Sequence, residues 1–217
     1  VIEALKIDIK LCHLNEGHAA FAALERARCF MQKNNLNFWQ ALWATRAGNI
    51  FTTHTPVAAA FDTFPDDLLE HYGQHYAESL GINPEQLLNM GKMVADDKSE
   101  RFNMAYLAAH TCARINGVSE LHGVVSKQIF SGLYPGWPLT EIPVSHVTNG
   151  VHMPSWDSAL ADKLWTDSCG KDRWLGAQES LDSKIEKLDD NEIWSLRGQQ
   201  RTDLIHYVRR RLSDQKR

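Results

Sequence analysis

Three side chains able to move protons or bind cations crowd the stretch "HLNEGHAAF", residues 13 to 21: His13, Glu16 and His18. Histidine and glutamate are zinc ligands, but the spacing is not H-E-x-x-H, the pattern that stacks two imidazoles on one helical face. A turn between a strand and a helix would separate the two imidazoles, so no metal is expected. The chemistry then falls to Glu16. At a helix N-terminus the dipole favours an ionised carboxylate, which suits it to accept hydrogen bonds or stabilise positive charge rather than to donate a proton. Helix capping is the equally simple alternative. Two further polar stretches, "TTHTP" (52 to 56) and "HVTNGVH" (146 to 152), contribute His54 and Asn149. A core histidine bonded to backbone and an Asn-Gly turn are the plainer explanations of those two.

Other catalytic signatures are missing. No two glycines are spaced as G-x-G, no G-x-x-x-x-G-K-[ST] occurs, and neither G-x-S-x-G nor a Cys–His signature is present. Dinucleotide fingerprints, P-loops and common nucleophilic hydrolases are therefore set aside.

The elements that must carry these residues follow from hydrophobic periodicity. Residues 5 to 14, "LKIDIKLCHL", alternate apolar and polar and predict a strand. From His18 to about Lys33, Ala20, Leu24, Ala27 and Met31 recur at helical spacing, and "NFWQALWATRAG" predicts a second helix stopped at Gly48. "IFTTHTP" is a short strand ended by Pro56. Pro65 and Pro84 open two further helices, "FNMAYLAAHTCARINGV" reads as a helix buried in the core, "SELHGVVSKQIF" as another, and "IPVSHVTNGV" as a strand ending in a turn. Strands alternating with helices predict an open α/β sheet with helices on both faces. Each polar stretch follows a predicted strand, so the three can converge beyond the carboxyl ends of one sheet, where α/β folds bind ligands.

Beyond residue 150, "DSALADKLWTDSCG" predicts a helix and "KDRWLGAQES" a connection. Residues 190 to 211 place Ile193, Leu196, Leu204, Ile205, Val208 and Leu212 on one amphipathic stripe that needs an apolar surface to cover. The start "VIEALKIDIKLCHLNEG" and the close "LIHYVRRRLSDQKR" read as cuts through a longer protein.

Composition narrows the partners. The 217 residues are 43% hydrophobic and 23% charged, with net charge −4, so the chain is globular and has no electrostatic reason to hold nucleic acid. Four cysteines without CxxC, no apolar run approaching 18 residues and no N-x-[ST] sequon predict a soluble, cytoplasmic chain off the membrane.

Four blocks in order then carry a resemblance. "HLNEGHAAF", "FTTHTPVAAAFDTFP", "FNMAYLAAHTCARINGVSELH" and "HVTNGVHMPSW" resemble the L-N-[DE]-x-H, T-x-H-T, N-M-A…V-N-G-V and T-N-G-[IV] blocks of the α-glucan phosphorylases, the glycogen, starch and maltodextrin phosphorylase family. Glu16 in place of Asp, Gly17 and Ala19 in place of Thr and Pro, and "HMPSW" in place of T-P-R-R-W look like the shorter bacterial and archaeal members. The resemblance implies a GT-B architecture. Residues 1–150 would form the second half of its N-terminal Rossmann-like domain, and residues 151–217 the helical entry into the C-terminal domain. It also implies reversible phosphorolysis of α-1,4-glucan by inorganic phosphate to glucose 1-phosphate, with retention, aided by pyridoxal 5′-phosphate. The cofactor lysine would lie downstream, since no lysine here stands in a Schiff-base context, and the fragment would be inactive alone. A homo-oligomer of the full-length protein fits the family. By resemblance, His54 contacts the reacting glucose through its side chain and backbone carbonyl, with Thr55 beside it; Asn149 binds the same sugar; and Asn15, Glu16 and His18 form the acceptor-side wall. His13 is read as scaffold. A nucleotide-sugar glycosyltransferase such as a glycogen or starch synthase, and a non-catalytic carbohydrate-binding module, are the alternatives.

Overall fold

The computed structural model describes residues 4–175 and 181–215. Its main sheet is built by two rows of side chains. Leu14, Phe51, Ile115 and Val144 are register neighbours across four parallel strands, and all are buried. One residue further along, Asn15, Thr52, Asn116 and Ser145 form a polar row, which the pleat turns to the opposite face. The strands are β1 (Cys12–Asn15), β2 (Asn49–Thr52), β5 (Arg114–Gly117) and β6 (Val144–His146), ordered β1-β2-β5-β6. β3 (Thr63–Phe64) and β4 (Phe102–Asn103) form a separate antiparallel pair. The α/β architecture with its parallel sheet is consistent with the Rossmann-like half of a GT-B fold.

Helices cross between the strands. α1 (Phe21–Asn34) and α2 (Phe38–Arg46) lie between β1 and β2, and α2 starts with a reciprocal capping box between Asn37 and Gln40. α3 (Asp66–Leu80), α4 (Pro84–Asn89) and α5 (Met104–Thr111) lie between β2 and β5, and α6 (Glu120–Phe130) joins β5 to β6. α5 is the core helix: Met104 to Ala109 are all buried, and its alanines let neighbouring backbone approach closely. Gly17 uses that space, since a Cβ there would stand 3.0 Å from the Ala105 nitrogen. Phe51, Phe61, Tyr106 and Phe130 join in one aromatic cluster, each burial contributing roughly 1.5–3 kcal/mol.

Two expectations are corrected. The strand predicted over residues 5 to 14 is limited to Cys12–Asn15, because Cys12 pairs with Asn49, the first residue of β2, and no earlier described residue has a ladder partner. Leu5, Ile7, Ile9 and Leu11 are instead exposed. The helix predicted from residue 102 up to Gly117 stops at Thr111, and Arg114–Gly117 is an inner strand. Cys112, in extended conformation, makes the break.

The chain separates into two compact units, residues 1–149 and 150–217. In the second, α7 (Met153–Trp156), α8 (Ala159–Cys169), α9 (Leu181–Ile185) and α10 (Asp190–Asp214) follow one another. Arg173 binds it locally, donating to Asp157 at 2.8 Å and Asp162 at 2.9 Å while standing over the Trp174 ring. The predicted connection over 171–180 begins as turns at 171–175; its last five residues lie outside the described ones. Among the described residues no helix is long and apolar enough to cross a membrane.

Candidate functional site

At the carboxyl end of β1 the backbone takes an unusual course. Glu16 has φ 76° and ψ 164°, a region that costs a residue with a side chain about 1–3 kcal/mol. The conformation aims its carboxylate at the neighbouring strand end. Oε1 accepts from its own neighbour's amide, Gly17 N–H, at 2.9 Å. Oε2 accepts from the His54 backbone N–H at 2.7 Å and from the Thr55 hydroxyl at 3.1 Å. One carboxylate thus ties the loop after β1 to the loop after β2. Three donors on one anion form the stronger, charge-assisted class of hydrogen bond.

The His54 side chain is held from the same side. Its Nε2 lies 2.6 Å from Asn15 Oδ1, an acceptor, so with the amide oriented this way Nε2 carries a proton. Nδ1 has no partner among the described residues and remains open for a ligand hydroxyl. His54 is exposed and Thr55 half-buried, so the pair forms a rim rather than a core. Beneath it the polar row is internally satisfied. The Thr52 hydroxyl donates to Asn116 Oδ1 at 2.9 Å and accepts from His13 Nε2 at 2.7 Å. His13 therefore spans two strands as scaffold, while Glu16 turns toward residues 54 and 55.

The predicted site residues are thus partly assembled. Asn15, Glu16, His54 and Thr55 form one hydrogen-bonded cluster. His18 is exposed in the single 3-10 turn after Glu16, and Asn149 is exposed beyond β6; among the described residues neither bonds to the cluster. Sequence reasoning missed His122, in the first turn of α6, whose Nε2 lies 3.1 Å from the Thr55 carbonyl oxygen. Its signal was a histidine three residues after a helix-capping serine, Ser119, directly beyond a strand.

No described group of three or more His, Cys, Asp or Glu could hold a metal ion. For a carbonyl cofactor the group that matters is a free amine. The one buried lysine among the described residues, Lys92, donates to Asp66 at 2.6 Å and to the Asp97 carbonyl at 2.8 Å. An ammonium locked in that pair does not fit a Schiff base. What the cluster can do is hold a neutral, hydroxyl-rich ligand with an imidazole, amides and backbone groups.

Residues 3–215 match the family model of the carbohydrate phosphorylases. The chain belongs to the carbohydrate phosphorylase family. Among similar family members, maltodextrin phosphorylase of Thermococcus litoralis is 35% identical over 221 residues, covering 99% of this chain and 25% of that protein. Glycogen phosphorylase of Mycobacterium tuberculosis is 35% identical over 206 residues, covering 92% and 23%. Glycogen phosphorylase of Aquifex aeolicus is 30% identical over 213 residues, covering 97% and 30%. The chain spans about a quarter of the length of these phosphorylases.

Proposed function

We propose that this chain is part of an α-1,4-glucan phosphorylase that cleaves glucan with inorganic phosphate to glucose 1-phosphate, reversibly and with retention. The observation that carries the reading is the Glu16 carboxylate joining the "NEGH" and "THT" loops into one polar rim beyond a parallel sheet, in a chain of the carbohydrate phosphorylase family. Residues 1–150 then belong to the N-terminal Rossmann-like domain, and residues 151–217 lead into the C-terminal one. The cytoplasm is the compartment proposed, and nucleic acid and membrane are not proposed as partners.

In this reading His54 contacts the reacting glucose, Thr55 lies beside it, and Asn149 binds the same sugar. Asn15, Glu16 and His18 form the acceptor-side wall. Retaining transfer passes through a transition state with positive charge on the sugar ring. A fixed backbone carbonyl and an ionised carboxylate near that ring stabilise such charge without a protein nucleophile. Asn15 sets the His54 ring, leaving Nδ1 as an acceptor for a sugar hydroxyl. Pyridoxal 5′-phosphate would be held by residues outside this chain; the buried lysine described here, Lys92, is tied to Asp66 and the Asp97 carbonyl.

The test is phosphate-dependent release of glucose 1-phosphate from glucan by the complete enzyme. We expect activity with phosphate and a fall of about 100-fold or more in kcat/KM for His54→Ala. Transfer only from a nucleotide-sugar donor, or glucan binding without turnover, would overturn the reading.

A further inference from the structure

Thr55 is gripped at two atoms by elements far apart in sequence. Its hydroxyl reaches Glu16 at the end of β1, and its carbonyl oxygen reaches His122 Nε2. The second ring nitrogen, Nδ1, accepts from the Val118 backbone N–H at 3.1 Å. A peptide N–H only donates and a carbonyl only accepts. One species makes both bonds, the neutral imidazole with its proton on Nε2. His122 is 9% exposed, and its own N–H is capped by Ser119 Oγ at 3.1 Å. The strand end lies close against it: a Cβ on Gly117 would come within 3.0 Å of Nδ1. The imidazole is thus a rigid strut from the β5–α6 junction to the loop after β2.

The remaining bonds of that loop show what the strut fixes. The His54 N–H goes to Glu16, and the Thr55 N–H to Thr53 Oγ1 at 3.3 Å. The His54 carbonyl oxygen accepts no hydrogen bond among the described residues. It stands on an exposed residue whose own N–H, and the N–H, hydroxyl and carbonyl of the next residue, are tethered.

We propose that His122 is a positioning residue of the phosphorylase site, fixing the Thr55 carbonyl so that the free His54 carbonyl and the His54 ring hold one direction toward the substrate. The inference rests on His54 being a substrate contact. It predicts that His122 acts on turnover more than on substrate affinity, because misdirection of a transition-state contact lowers kcat.

The experiment uses the complete enzyme in the phosphorolysis assay, with His54→Ala as reference. His122→Phe keeps an aromatic ring without the donor, and His122→Gln supplies an amide N–H of similar reach. His122→Phe should lower kcat on the order of 10- to 100-fold, with KM for phosphate and glucan changed less than about threefold, and His122→Gln should regain most of the loss. If His122→Phe does not fold, His122→Asn, whose amide is too short for Thr55, takes its place with the same expectation. The proposal is overturned if His54→Ala is strongly impaired while the donorless variant keeps kcat within about twofold. It is equally overturned if Gln is no better than Phe, or if Gln itself cannot fold, since the imidazole would then serve the fold. A His54→Ala enzyme with normal activity would instead remove the underlying reading, whatever His122 does.

Discussion

At the scale of single residues, Glu16 sets two effects against each other. Its backbone occupies a region suited to glycine, while its carboxylate collects three hydrogen bonds that join two loops. Alanine at this position would keep the backbone strain and lose the acceptors. Glycine would lose the acceptors and also release roughly 1–3 kcal/mol of strain. Away from positive φ, alanine usually leaves a protein more stable than glycine does. Here the order should reverse, with Glu16→Gly more stable than Glu16→Ala by about 1 kcal/mol or more in urea unfolding. Equal stabilities would mean that the strain at Glu16 is not real. The same balance explains why this side chain was readable as polar and well placed, though not as a tether. A sequence shows that a carboxylate follows a strand, but not the positive φ that turns it sideways just before Gly17 packs against α5.

At the scale of elements, most helices announced themselves through caps, prolines and periodicity, though not the short α7 and α9, and the strand-end positions of Asn15, His54 and Thr55 were legible too. What stayed hidden was the division of residues 102 to 118 into β4, α5 and β5. No Gly or Pro stands between Thr111 and Arg114, and a four-residue strand buried at three of its positions lacks the alternation that marks an exposed sheet. His122 was missed for the same reason, because its bond to Thr55 exists only once β5 is placed beside β2. The residues before Cys12 err in the other direction, since alternation alone cannot make a ladder without a partner strand. The α5–β5 junction carries its own prediction. Cys112 is 1% exposed, and burial pushes its thiol up to about 12. At pH 8 only on the order of 1 in 10,000 copies would be thiolate, the reactive form. Labelling with a disulfide reagent, followed by mass spectrometry, should leave Cys112 unmodified until denaturant is added; rapid stoichiometric modification of the native protein would refute its burial. The sign of the pH effect follows. Above the unfolded thiol's ordinary value of 9.0, unfolded chains give up a proton that folded chains keep. Stability should therefore fall more steeply with rising pH, up to about 12, than in Cys112→Ala.

At the scale of the whole molecule, the two units are held by different physics. Residues 1–149 bury an aromatic and aliphatic core around the sheet, whereas among the described residues of 150–217 only Ala161 is a buried hydrophobe. Of the stripe expected from the sequence, Leu204, Ile205, Val208 and Leu212 are exposed on α10 and Ile193 and Leu196 are half-buried, so the helix gains little from burial within its own unit. Polar anchoring has to carry more of the order there. Its centre is Arg173, whose side chain is 6% exposed and whose guanidinium faces Asp157 and Asp162. Lys171, then Arg173, hold the Asp162 carboxyl below its ordinary value of 3.8. A depressed carboxyl stabilises the fold above its unfolded value, and that contribution disappears as pH falls through the lower folded value. Two outcomes follow for amide hydrogen exchange in α8. Arg173→Met should leave the Asp157 carboxylate without its partner and speed exchange across 159–169 on the order of tenfold or more. Lowering the pH of the unaltered chain below 3.8 should weaken protection of that helix, after correction for the intrinsic pH dependence of exchange, and Asp162→Asn should show a smaller response. Protection that is indifferent both to Arg173→Met and to acid would show that α8 is ordered by something other than this ion cluster.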